Sequence, residues 1–123
     1  MEKEIKSYLI IGKTDFSQLI DSRIAIGKEL LSRKITTYET LGKFRIDIEK
    51  WSDYNLELLK QSFDNPDNEY RKDYKRSHFI GGYLGSHPLY EDVEREKKKI
   101  SSYIKGLEKI LNKLDLIPEK GKI

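Results

Sequence analysis

Two histidines come first for chemistry, because imidazole titrates near neutrality and can act as acid, base or metal ligand. His78 and His87 flank a glycine-rich stretch, Gly81-Gly82-Tyr83-Leu84-Gly85. With Asp73 or Glu91 they could form a metal site or an acid–base pair. No H-x-x-x-H or H-E-x-x-H spacing supports that use, and a surface or capping histidine is the plainer reading. The glycines follow no strand signal, so a dinucleotide fingerprint is not supported. A turn that folds Phe79, Tyr83 and Leu84 onto the body of the protein accounts for them. Gly12-Lys13-Thr14 has the end of a phosphate loop, but the glycine required five residues earlier is Ser7. It reads as a turn into a capped helix. The chain has no cysteine, which excludes thiol nucleophiles, disulfides and the common zinc modules. We therefore expect no catalytic residue, no metal and no cofactor, and read the chain as non-enzymatic.

A second chemistry is phosphate recognition. Tyr70, Arg71, Lys72, Tyr74, Lys75, Arg76, His78, Phe79 and Tyr83 interleave basic and aromatic side chains, which can neutralise phosphates and stack on bases. Glu69 and Asp73 dilute the cluster: over 69–79 there are four basic and two acidic residues, net +2. The competing reading is a short amphipathic helix with Tyr70 and Tyr74 packed inward. Residues 94–113 carry seven basic and three acidic residues, net +4, including Lys97-Lys98-Lys99. Glu94, Glu96 and Glu108 intersperse them, and Glu94 to Lys98 is a favourable i,i+4 pair, so a solvated face is the stronger reading. A nucleic-acid interface, the alternative function, would use Tyr70, Arg71, Tyr74, Lys75, Arg76 and Lys98.

Helices must position these residues. Leu41, Phe44, Ile48, Trp51, Asn55, Leu58 and Ser62 recur at alternating spacings of 3 and 4, an apolar seam widened by Leu59 and Phe63. Thr36 and Glu39 form a capping-box pair at its start, and Asp64-Asn65-Pro66 ends it. The predicted helix, 37–63, is about 40 Å long. A second seam runs through Leu89, Val93, Glu96, Ile100, Tyr103, Leu107, Ile110 and Leu114, flanked by Ile104 and Leu111. It predicts a helix over 88–115, with Ser86 or His87 as cap and Pro88 near the first helical position. Gly106 inside it costs about 1 kcal/mol relative to Ala and permits close approach of another helix. Phe16, Leu19, Ile20, Ile24, Gly27, Leu30 and Leu31 share one face and predict a helix over 15–34, capped by Thr14 or Asp15. In residues 2–11, Ile5, Leu9 and the Ile10-Ile11 pair fit a short helix while the Tyr8-Leu9-Ile10-Ile11 run fits a strand; with no partner strand evident, a helix or an extended arm is favoured. Asp67 can cap a short helix within the long 64–87 connection.

Narrow seams must bury against each other. The expected fold is all-α: an antiparallel bundle of three long helices with a short helix in the 64–87 connection, or a dimer completing a larger bundle. One domain covers 1–123, as 123 residues with 37% hydrophobic composition suggest. The longest apolar run, Tyr8-Leu9-Ile10-Ile11, falls far short of the roughly 18 residues of a membrane span. The N-terminal Met-Glu-Lys-Glu is acidic where a signal peptide is basic. A cytoplasmic protein with no membrane partner is expected. Abundant Lys and Ile beside a single Ala suggest AT-rich coding, hence a low-GC bacterium or its mobile elements. Asn55 and Glu96 are polar at seam positions, where a buried polar residue can fix register or oligomer state.

GKELLSRKI at 27–35, the Thr-x-x-Glu at 36–39 and WSDYNLELLKQSF at 51–63 carry a resemblance. Through Gly27, Glu29, Leu30, Leu31, Arg33, Ile35, Trp51, Tyr54, Asn55, Leu58, Leu59 and Phe63, residues 27–63 resemble the helical N-terminal region of bacterial proteins that carry a TIR-like or predicted nucleotide-binding domain. That domain has no counterpart in these 123 residues. The resemblance implies an assembly or regulatory module in a signalling or defence setting, and carries over no catalytic residue. The leading expectation is a helical protein–protein interaction or oligomerisation module, a regulator in a bacterial, phage or mobile-element defence setting. Trp51, Tyr54, Asn55 and Phe63 are its candidate partner-binding residues, with the aromatics serving as core or as interface anchors.

Overall fold

The computed structural model describes residues 6–77 and 87–121. His78, Phe79, Gly81, Gly82, Tyr83, Leu84, Gly85 and Ser86 lie outside the described residues. The chain is all-helical, with α1 at Lys13–Ser32, α2 at Tyr38–Gln61, α3 at Glu69–Arg76 and α4 at Leu89–Asn112. A 3-10 turn follows at Leu114–Leu116. No helix is long and apolar enough to cross a membrane among the described residues.

The local signals sit one or two residues from where the pattern placed them. At α2 the cap is Thr37, not Thr36, and its partner is Thr40, not Glu39. Thr37 Oγ1 accepts from the Thr40 N–H at 3.0 Å, and Thr40 Oγ1 accepts from the Thr37 N–H at 3.2 Å. A threonine hydroxyl thus closes the box that a carboxylate more often closes. At α3 the cap is Asn68, not Asp67. Its Oδ1 accepts from the Arg71 N–H at 2.9 Å, while its Nδ2 donates to the carbonyls of Leu59 and Asn65, each at 3.0 Å. That amide is fully buried, because it ties the end of α2 to the start of α3. Helix α1 starts at Lys13 with Gly12 as its cap residue and no side-chain cap bond, so Thr14 and Asp15 lie inside it. Pro88 occupies the cap position of α4 itself.

The topology differs from a three-helix antiparallel bundle. Helix α1 runs antiparallel to α2: Phe16 meets Phe63 at 5.6 Å between ring centroids, Arg23 reaches Asn55 and Arg33 reaches Asp47. It also runs antiparallel to α4, with Gly27 against Ile104 and the Lys13 ammonium at the carbonyl of Asp115. Helices α2 and α4, however, run parallel. The Tyr38 hydroxyl donates to the His87 carbonyl, Arg45 pairs with Glu96, and Trp51 meets Tyr103 edge-on. Eight-residue α3 supplies the missing return. It packs antiparallel to α2, with Tyr70 on Phe63 and Tyr74 at Asn55, and antiparallel to α4, with Ser77 at Gly106 and Tyr70 near Ile110. The result is an up-down-up-down arrangement whose third pass is short. α2 and α4 therefore touch across the diagonal.

Residues 6–12 form the extended arm, not the helix. Its partners are the two chain segments that follow helices. Leu9 bridges to Phe63 on one side and Glu119 on the other. The Ile10 N–H donates to the Ser62 carbonyl at 2.9 Å, the Leu9 N–H to the Pro118 carbonyl at 2.8 Å, and the Lys120 N–H to the Leu9 carbonyl at 2.8 Å. Leu9 is thereby sealed in the core, which otherwise comprises Phe16, Ile20, Leu41, Phe44, Ile48, Leu59, Ile100, Leu107 and their neighbours. Near the end of α2 the buried stripe moves from Leu58 to Leu59 and Phe63. A 3.6-residue turn drifts away from a strict 3–4 seam, and α3 covers the drifted side.

Candidate functional site

Of the four residues expected to meet a partner, three are interior. Trp51, Asn55 and Phe63 are 3%, 0% and 3% exposed. Trp51 lies at the α1–α2–α4 junction, its Nε1 donating to the Arg23 carbonyl at 2.9 Å. Phe63 is stacked on Tyr70 at 4.8 Å and edge-on to Phe16. These rings are core, one of the two roles the sequence allowed.

Asn55 sits in a buried polar network. Its Nδ2 donates to the Tyr74 hydroxyl at 2.9 Å, and its Oδ1 accepts from Arg23 Nε at 2.7 Å. Ser52 Oγ lies 3.1 Å from the same hydroxyl. Arg23 also donates to the Trp51 carbonyl at 3.3 Å. Three helices are thus fixed in register within one chain, where the sequence suggested register between chains. Burial pushes the Tyr74 phenol up to about 12, and desolvation lowers the Arg23 pKa from its ordinary value. The second seam polar residue, Glu96, is likewise satisfied internally, by Arg45 at 3.5 Å and Lys99 at 3.3 Å.

Tyr54 is the exposed member, at 56%. Its ring lies under the Arg23 guanidinium, 4.1 Å from carbon to centroid. Arg23 stands between Leu19 and Ile26 at spacings of 4 and 3, so the three share a face of α1. Leu19 and Ile26 are 39% and 41% exposed. The result is a ridge along α1 and α2 made of exposed Leu19, Ile26 and Tyr54 with half-buried Arg23 among them. Arg23 has no motif of its own. Its only sequence signal is a cation placed within the apolar face of α1.

The basic and aromatic cluster is divided by its helix. Tyr74 is fully buried and stacks on Tyr103 at 4.9 Å, while Tyr70 is half-buried against Phe63. Tyr74 offers no face to a base and Phe63 takes one face of Tyr70, which is the inward-packed arrangement. Lys75 faces the cleft between α2 and α4, near Glu49, Asp53 and Glu96. Arg71 is half-buried, with its Nε sealed from solvent. Arg76 instead turns to α4, where it meets Lys109 and Lys113 around a groove of about 260 Å³. Lys98 is exposed on the same helix. It forms no ion pair with Glu94 among the described residues. The pairing expected from sequence is therefore not made.

Of the residues weighed for catalysis, His87 and Glu91 meet at the start of α4. His87 Nδ1 lies 3.0 Å from Glu91 Oε2, one turn into α4, and His78 lies outside the described residues. Gly12 caps α1, and Lys13 reaches the Asp115 carbonyl at 3.3 Å. Among the described residues, no group of three or more His, Asp or Glu side chains is placed to hold a metal ion.

Comparison of the chain with protein-family models, with curated proteins and with solved structures finds no match.

Proposed function

We propose that the chain is a non-enzymatic helical module that binds a protein partner through the α1–α2 ridge. One observation carries this reading: exposed Tyr54 is held under the guanidinium of Arg23, whose face of α1 also carries exposed Leu19 and Ile26. Tyr and Arg are enriched among residues that dominate interface energies, and a ring already held in place loses little entropy on docking. The ridge sits on two long helices tied together by the Arg23–Asn55–Tyr74 network, so it is presented rigidly. A regulatory role in a bacterial, phage or mobile-element setting is the context that the resemblance implies.

The test compares the native chain with a Tyr54→Ala/Ile26→Glu variant in cross-linked pull-downs from the native host. Both positions are exposed, so the variant should melt within a few degrees of the native chain. We expect a partner that the native chain retains and the variant loses. Identical captured proteins from two equally folded baits would refute the ridge as the docking surface. Light scattering adds the self-association arm: a dimer abolished by the same variant identifies the partner as a second copy.

A further inference from the structure

We propose that the α3–α4 side of the bundle, remote in sequence from the Tyr54 ridge, binds the phosphodiester backbone of a nucleic-acid strand. Lys98, Lys105, Lys109 and Lys113 recur at spacings of 7, 4 and 4, so they lie along one ridge of α4. All four are exposed. Arg76 joins them from α3 at the groove that Lys109 and Lys113 also line. None of the five is in an ion pair among the described residues, whereas Arg33, Arg45, Lys72, Lys99 and Lys120 all are. Cations left unpaired along a line retain their field for a ligand.

The shape favours a strand. Residues one turn apart on α4 are separated by about 6 Å along its axis, close to the step between neighbouring phosphates. The groove exists because Gly106 has no side chain: a Cβ there would stand 2.8 Å from Ser77 Oγ, so α3 sits low against α4. Ser77 and Tyr70 line the groove, and Asp73 is its one carboxylate. Lys105 and Lys109 also line a shallow groove toward α1, where Lys28 adds a cation and Asp21 and Glu108 are the carboxylates. The ring of Tyr70 is engaged by Phe63, and that of Tyr74 is buried. With the cations in line and one ring face of Tyr70 already taken, contacts fall chiefly on phosphates, and recognition is largely independent of sequence.

The experiment is fluorescence anisotropy of labelled 20-nucleotide single strands of DNA and RNA, with the full chain, at about 50 and 200 mM salt. Five phosphate contacts to a single strand predict a loss of affinity on the order of a hundredfold across that range. Arg76→Glu/Lys109→Glu/Lys113→Glu should abolish binding. Lys43→Glu/Lys50→Glu/Lys60→Glu on α2 makes the same change in net charge and should leave most of it. If the glutamate triple does not fold by circular dichroism, Arg76→Gln/Lys109→Gln/Lys113→Gln takes its place, with a loss of about tenfold or more expected. No binding at the lower salt, or equal losses in the α2 and α4 variants, overturns the proposal. So does polyglutamate of matched charge competing as well as unlabelled strand, which would make the surface one for acidic proteins.

Discussion

Tyr74 concentrates the molecule's buried polarity in a single hydroxyl, which accepts from Asn55 in a site no water reaches. Removing Asn55 leaves Arg23 Nε without its acceptor and the Tyr74 hydroxyl with Ser52 alone, and opens a void in a closed polar network, where a group left unsatisfied costs about 1–3 kcal/mol. Asn55→Ala should therefore lose at least about 2 kcal/mol in urea unfolding, where an exposed change such as Asn112→Ala stays within about 0.5 kcal/mol. The same residue gives a pH signature. The Tyr74 and Tyr70 phenols are both pushed up to about 12, chiefly by burial, with Glu69 adding at Tyr70. An unfolded tyrosine ionises near 10, so above that pH the unfolded chain has released protons that the folded chain keeps. Stability from these two groups is complete below about pH 10 and is lost as pH rises toward 12. Melting temperature should fall across that window, and Tyr74→Phe should start lower but fall less steeply.

At the scale of the helix, two glycines make opposite predictions. A Cβ on Gly27 would lie 2.6 Å from Trp51 Cζ2 and 2.9 Å from Ile104 Cγ1. Both neighbours are buried, so Gly27→Ala should destabilise by about 1–3 kcal/mol. Gly42, in α2, has no atom within 4 Å of such a Cβ, and Gly42→Ala should stabilise by about 0.5–1 kcal/mol through helix propensity. Equal effects in chemical denaturation would contradict this account of why α1 lies so close to α2 and α4. Asn68 is the third element-scale test. Its amide both caps α3 and holds the end of α2, so Asn68→Ala should cost about 1–2 kcal/mol or more. It should also raise amide exchange through α3 before α2.

The helices themselves were legible in the sequence to within two or three residues at each end. Apolar spacing at 3 and 4 is a local property, and it holds for Leu41 through Trp51 and for Val93 through Ile110. Caps were legible in kind but not in place. Thr36 and Thr37, or Asp67 and Asn68, are chemically equivalent until the chain's entry angle selects one. The number of long helices was also readable, but their directions were not. Taking only the long helices into account makes α2 and α4 antiparallel neighbours; α3 makes them parallel across a diagonal.

Across the whole molecule, the arm at 6–12 closes the structure by lying between the segments that follow α2 and α4. Its core contribution is Leu9, 1% exposed. Leu9→Ala should cost about 2–5 kcal/mol, with amide protection lost at Lys120 and Ile10 as well as globally. The binding surfaces belong to this scale too. Tyr54, Trp51 and Phe63 are indistinguishable as aromatics in a list. Which one faces solvent depends on the rotation of α2 about its axis, set by everything packed on it. Arg76 is more than 30 positions from Lys109 and Lys113 in sequence and meets them only because α3 folds back onto α4. By itself the sequence determined the all-helical class, the extent of each helix and the exclusion of thiol chemistry, because these follow from residue type and local spacing. Tertiary structure alone decided the strand-like course of the arm, the parallel pairing of α2 and α4, and which polar groups are consumed inside. Those outcomes depend on contacts between residues far apart in the chain, which spacing along it does not encode.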